Sequence, residues 1–367
     1  MSDNKTYVNE IFDKWRDDNK NPHTFRNDST EVEKAYMDGK GFIHQTTEQK
    51  EKKALKKCAG AFGLSMTLMF LVNILGSVIL SEYSYHVLTF DDVINNRIIE
   101  YTDMKSLLIY IAVCTLSFLL PIISFMLLTK LPFRAFVNWH IPEKDTTLYC
   151  LPFIIITTII ARVINNITFV SVSKLGVTEK YYNCIVSDDI GVILLFTFFE
   201  FFVMPILFEI FFRGLAMPVF SQFGGTFTIA LTCICASLSV SSLMFFPYTM
   251  LIGITVAYFA YKTRSLLVAI AMRITSRMIS YILWLSTFSI PTHYQKPFEY
   301  VTYAVLLFFC IRYLSSHPPE KFAKFNVSDR QTSISFKEKI FTILSSGPFI
   351  LWLACTIVYS ILSVKLV

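Results

Sequence analysis

Nine stretches of this chain are apolar runs of the kind that cross membranes: residues 58–80, 106–128, 148–170, 191–212, 226–246, 247–261, 265–288, 298–314 and 347–366. A bilayer core of about 30 Å takes about 20 helical residues to cross. Hydrocarbon offers no partner to an unpaired peptide group, so only helices or closed barrels span it. Barrel strands alternate apolar and polar residues with period two, and these runs do not. The expected fold is therefore all-α. It is a polytopic membrane helical bundle of about eight or nine transmembrane helices, with a hydrophilic N-terminal tail. The count turns on the fifth and sixth runs, which only Pro247 separates. Composition points the same way, since 16% of residues are charged where soluble chains carry about a quarter.

The basic residues of the loops set an orientation. Residues 1–57 hold twelve Lys or Arg, and 312–346 hold six. Lys130, Arg134 and Lys144, then Arg213, then Lys262 and Arg264 follow the second, fourth and sixth runs. The alternate loops 81–105, 171–190 and 289–297 hold two, two and one. This pattern places the chain in the cell membrane as a multi-pass protein, N-terminus in the cytoplasm and C-terminus outside. The net charge of +6 is a topology signal and does not call for nucleic acid. The division expected is a cytoplasmic tail over 1–57 and a bundle over 58–366, with the first run as an uncleaved anchor. In the tail, Tyr7, Val8, Ile11, Phe12 and Trp15 share a helical face. That face could dock on the bilayer surface or on the protein; the default is a transient amphipathic helix in a mostly disordered segment. The stretch 315–345 reads as an interfacial linker into the last span. Of eight cysteines only Cys184 falls in an outer loop, so no disulfide is expected. Cys233 and Cys235, two apart, point to different helix faces. Neither a metal nor any other cofactor is expected.

Ionisable residues inside spans are costly and usually pair. Here they are Arg162 in the third run, Glu200 and Glu209 in the fourth, and Arg273 and Arg277 in the seventh, with Arg213 at the inner boundary. At about 1.5 Å per residue, Glu200 and Arg277 lie at about the same depth. Glu209 has Arg213 one turn below it and Arg273 somewhat deeper. The expectation is a buried ionic seam of Glu200, Glu209, Arg213, Arg273 and Arg277 between two helices. A protonated Glu200 with an independently snorkelling Arg273 is the alternative.

The stretch Glu209-Ile-Phe-Phe212-Arg213-Gly214 resembles the first motif of the CPBP family, the CAAX-prenyl-protease and bacteriocin-processing intramembrane proteases. That motif reads Glu-Glu-x-x-Phe-Arg-Gly. The later stretch Gly253 to Leu266 is similar to the family's short helix, tight basic turn and next span. Ser346-Gly347-Pro348-Phe349 before the last run is similar to Gram-positive members. The resemblance is best over 190–285. It implies an endopeptidase in which the first Glu activates water while later His and Asn residues assist.

Position by position that chemistry is missing. Phe208 stands where the first Glu belongs. The expected Phe-x-x-x-His falls in 236–246, which contains no His, and His-x-x-x-Asn aligns with Arg273 and Arg277. Arg cannot act as a base, and a carboxylate held by cations is a poorer one. Glu209 and Arg213 then read as a retained i, i+4 pair. The first functional reading is a catalytically silent member that binds membrane lipid and a membrane or lipidated peptide, or a partner protein, in a bacteriocin-processing or self-immunity role. Its cavity would be lined by Phe208, Ser237, Ser239, Ser241 and Ser242; the serines equally suit a small-residue packing face. The Arg pair would hold a peptide carboxylate or an anionic lipid headgroup. The second is an active, divergent endopeptidase with Glu209, or Glu200, as the catalytic residue. The third is an anion-handling transporter, against which the missing internal repeat counts. Oligomeric state is not legible in the sequence.

Overall fold

The computed structural model describes residues 10–18, 21–25, 34–37, 41–44, 47–83, 104–132, 144–174, 177–179, 189–240, 242, 244–288, 290–317, 332–362 and 364–366. In chain order these form α1 (Glu10–Arg16), β1 (Lys34–Met37), β2 (Gly41–His44), α2 (Thr47–Tyr83), α3 (Met104–Thr129), α4 (Lys144–Lys174) and β3 (Val177–Glu179). Then come α5 (Ile190–Ser221), α6 (Gly225–Leu238), α7 (Phe246–Thr263), α8 (Leu266–Phe288), α9 (Thr292–Ser316), α10 (Phe336–Leu344), α11 (Gly347–Leu362) and β4 (Val364–Leu366). The architecture is a helical bundle. The strands form two small antiparallel pairs, β1 with β2 and β3 with β4.

Among the described residues, six helices are long and apolar enough to cross a membrane, or up to seven if the bent pair α10–α11 is one span. The expected eight or nine are not reached among them. The difference lies in the fifth and sixth runs. Helix α6 has 14 residues, about 21 Å at 1.5 Å each, too short for the hydrocarbon core. Helix α7 is longer, but Tyr248, Tyr258, Tyr261 and Lys262 dilute its apolar character. It ends at Arg264, whose left-handed φ of 51° makes the tight turn into α8. Removing both runs as a pair keeps the chain's sidedness. Accordingly, β3 after α4 pairs with β4 near residue 366, putting both at one end of the bundle.

Residues 15–18 and 21–25 occupy the opposite, basal end, where α2 begins and α3 and α5 finish. Trp15 is buried, and its Nε1 donates to the Thr129 carbonyl at 3.0 Å. Asn21 Nδ2 donates to the same oxygen at 3.3 Å. The Phe25 N–H donates to Gln222 Oε1 at 2.8 Å, and Gln222 Nε2 returns a bond to the His23 carbonyl at 2.9 Å. The sequence reading of this segment as mostly disordered is thereby corrected over the described part. Its apolar face is covered by protein, with Phe12 stacked on Trp15. Tyr7 and Val8 lie outside the described residues. Helix α2 starts at Thr47, so it runs into the segment assigned to the tail.

Burial and the neighbouring Lys57 and Lys130 hold the His23 imidazole below its ordinary 6.5. A released His23 binds its proton more tightly, so docking gains stability above about pH 6.5 and loses it as pH falls through that value. Limited proteolysis in detergent should therefore cut residues 10–25 faster at pH 5.5 than at pH 8. Trp15→Ala should be cut fast at both. Equal protection of wild type and variant at both values would exclude this docking.

Three contact regions hold the bundle. Helix α2 packs on α3 and α11, and with α5 it builds an aromatic core around Phe62. That ring stacks on Phe211 at 5.8 Å and meets Phe125, Phe212 and Phe220 edge-on. Helix α4 packs against α7, α8 and α9. Helix α5 lies between α3 and α8, and the charged residues sit along it. Helix α10 carries a capping box of Ser335 and Glu338 and meets α11 at 81°. This is the geometry of a surface helix leading into a span, and Glu51 Oε2 ties its entry by accepting from the Ser333 and Ile334 N–H groups.

Candidate functional site

The site begins with the irregular winding of α5. Residues Phe199–Val203 and Ile210–Ala216 are π-helical. Such turns are rare and usually occur singly within helices, often at functional positions. Each is followed at once by a proline, Pro205 and Pro218, at the start of the next α segment. Met204 donates its N–H to Phe199 O, five residues back. The next donor in that register would serve the Glu200 carbonyl, but Pro205 has no N–H. The freed carbonyl accepts from Arg277 Nη1 at 2.9 Å.

The same nitrogen lies 2.8 Å from Glu200 Oε2, so one guanidinium holds both backbone and carboxylate. Glu200 Oε1 accepts from the Tyr110 hydroxyl of α3 at 2.7 Å. The π turn also sets direction. In a regular α-helix nine residues at about 100° each put Glu200 and Glu209 on opposite faces. The extra residue in the π turn removes about 100° of that rotation, and both carboxylates reach α8.

Deeper toward the basal end, Arg273 Nε donates to Glu209 Oε1 at 2.7 Å. Arg213 Nε stands 3.6 Å from Glu209 Oε2, an ionic contact without a hydrogen bond, and both side chains are fully buried. Arg213 is held instead by carbonyls: its Nη2 donates to Gly253 O of α7 at 3.1 Å and Nη1 to Thr232 O of α6 at 3.5 Å. Thus Arg213 ties α5 to the short helix pair, while Arg273 and Arg277 tie it to α8. Phe208 lies flat under a cation. The Arg273 guanidinium carbon is 4.6 Å from its ring centroid. Phe118 and Phe212 pack on the same ring at 6.0 and 4.7 Å.

The serines are placed differently. Ser237 is buried and donates to Met250 Sδ at 3.7 Å, beside Gly253. Ser239 donates to the Ala236 carbonyl, and the Ser242 hydroxyl accepts from the Phe245 N–H. Ser241 lies outside the described residues.

A second polar group had only one member read from the sequence. Arg162 of α4 donates to Tyr303 Oη and Glu299 Oε1, each at 2.9 Å, and to the Ser280 carbonyl at 3.1 Å. The Tyr303 hydroxyl also bonds Glu299. Glu299 escaped notice because it opens the eighth run; its i, i+4 spacing to Tyr303 was the available signal. This cluster pairs one acid with one guanidinium and closes α4 against α8 and α9. Among the described residues, no three His, Cys, Asp or Glu side chains gather as a metal site would require.

With this geometry in place, the comparisons are specific about one stretch. Residues 190–279 match the family described as Rce1-like, type II CAAX prenyl endopeptidase. The match runs from the start of α5 to the part of α8 just past Arg277, so it contains both sides of the ionic seam. No curated protein and no solved structure matches the chain.

Proposed function

We propose that this Rce1-like, multi-pass membrane protein keeps the family's scaffold without its peptidase chemistry. In this reading it holds a membrane-embedded or lipidated peptide, or a partner membrane protein, in a peptide-processing or self-immunity role. It sits in the cell membrane with the basal end in the cytoplasm, as the Lys and Arg distribution supports. The observation that carries the reading is Arg273, held between the Glu209 carboxylate and the Phe208 ring. These are the positions where an active member needs a base and its helper. General base catalysis requires a group free to take a proton from a water within reach. Glu209 Oε1 is spent on Arg273, and the residue is fully sealed.

The competing reading is an active endopeptidase using Glu209. What favours it is Glu209 Oε2, which accepts no hydrogen bond among the described residues. Against it, that atom is sealed from solvent, and no His lies between residues 140 and 293 to assist. Purified full-length protein should bind prenylated or membrane-inserted peptides without cleaving them above the peptide-only background. Cleavage that disappears in Glu209→Gln would overturn the silent reading in favour of the active one.

A further inference from the structure

The seam contains more positive than negative charge. Arg213, Arg273 and Arg277 face Glu200 and Glu209; three against two leaves one positive charge without a counter-ion among the described residues. The other side-chain partners, the Tyr110 hydroxyl on Glu200 and the Cys233 sulfur on Arg213, bring no acid to the seam. The Arg162–Glu299 cluster on the other side of α8 is balanced by comparison. An uncompensated charge in a low-dielectric interior is strongly unfavourable, so the excess needs a source of negative charge.

The donors for such a group are present. Arg273 uses only Nε, and Arg277 only Nη1. Their remaining guanidinium nitrogens have no hydrogen-bond partner among the described residues and are not sealed. The two side chains stand one turn apart on α8, and that of Arg277 is 40% exposed. On the same two helices Phe198, Phe202, Met278 and Ile282 present exposed apolar side chains. Charged forks with open N–H groups bind carboxylate or phosphate oxygens in bidentate fashion. Exposed apolar surface on the same helices suits an acyl chain.

We infer that Arg273 and Arg277 bind the oxyanion head of an acidic amphiphile, a carboxylate or phosphate carried on an acyl chain, as the counter-ion of the seam. This deepens the proposed reading by giving its site a ligand chemistry, and it rests on that reading's placement of the seam. It is independent of whether peptides are cleaved.

The test is thermal unfolding of the full chain in neutral detergent. The additives are oleate, phosphatidic acid, phosphatidylcholine or sodium phosphate. Oleate and phosphatidic acid should raise the midpoint by several degrees, and phosphatidylcholine should not. Arg273→Met leaves two guanidiniums for two carboxylates, so it should fold and lose that rise. Mass spectrometry of the extracted wild-type protein should find acidic lipid enriched over the detergent extract. If phosphate alone reproduces the whole rise, the oxyanion site stands with a free ion as its source and the acyl part of the inference fails. A midpoint indifferent to every anion, or an Arg273→Met variant that responds like wild type, overturns it entirely. Peptide cleavage would overturn the silent reading and leave these outcomes unchanged.

Discussion

Glu209→Leu should lose about 3–5 kcal/mol of stability, the range for breaking a buried ion pair by removing one partner. The carboxylate is fully buried and, among the described residues, is the only acid paired with both Arg213 and Arg273. Removing it strands two guanidiniums, one of them fully sealed. The expected result is a variant that aggregates on extraction or melts far below wild type in detergent. Glu209→Gln should be milder, because its amide oxygen can still accept from Arg273. Arg277→Leu should fall between them: Tyr110 still donates to Glu200, and the lost pair is partly open. A Glu209→Leu protein as heat-stable as wild type would show that the seam contributes nothing to the fold.

The second large effect is expected at Gly63, where α2 meets the start of α11. A Cβ placed there would lie 2.4 Å from the Phe349 nitrogen, 2.5 Å from its Cα and 2.6 Å from the Pro348 carbonyl carbon. All three are backbone atoms and cannot swing aside. Gly63→Ala must therefore push two helices apart, and overpacking of this kind costs about 1–3 kcal/mol, occasionally more. Gly63→Leu should prevent α11 from docking. Gly60→Ala is the matched control, since its nearest neighbour would be the Ser346 hydroxyl at 3.4 Å. Melting curves of the two alanine variants should separate clearly. If they coincide, the close approach of α2 and α11 is wrong.

The same residues show how far a linear reading reaches. Depth along a helix is nearly a sequence property, because every residue adds the same rise. That is why Glu200 and Arg277 could be matched from their distances to the ends of their runs. Direction around a helix is not, because it depends on unbroken α winding. Pro205 and Pro218 are visible in the sequence, but their pairing with π turns is not. The first of those turns, Phe199–Val203, brings Glu209 onto the side of Glu200 and, with Pro205, frees the carbonyl that Arg277 takes. Helix count is poorly legible for a related reason: an apolar run reports tolerance of lipid, and α6 is apolar while too short to cross it.

The N-terminal segment shows the opposite limit. Its apolar face was visible as Phe12 and Trp15, but an apolar face does not name its partner. The partners are the end of α3 and Gln222, more than a hundred residues away. Glu299 was missed in the same way, since it acquires a role only when α9 brings it to Arg162.

The sequence alone determined the solvent and the class of fold, because hydrocarbon length and the lack of backbone partners in lipid leave helices as the answer. It also determined that no His lies between residues 140 and 293, because that requires only knowing which side chains are present. Only the tertiary structure decided which charges meet. Salt bridges and freed carbonyls depend on rotation and on helix neighbours, and neither is encoded by any single stretch of the chain.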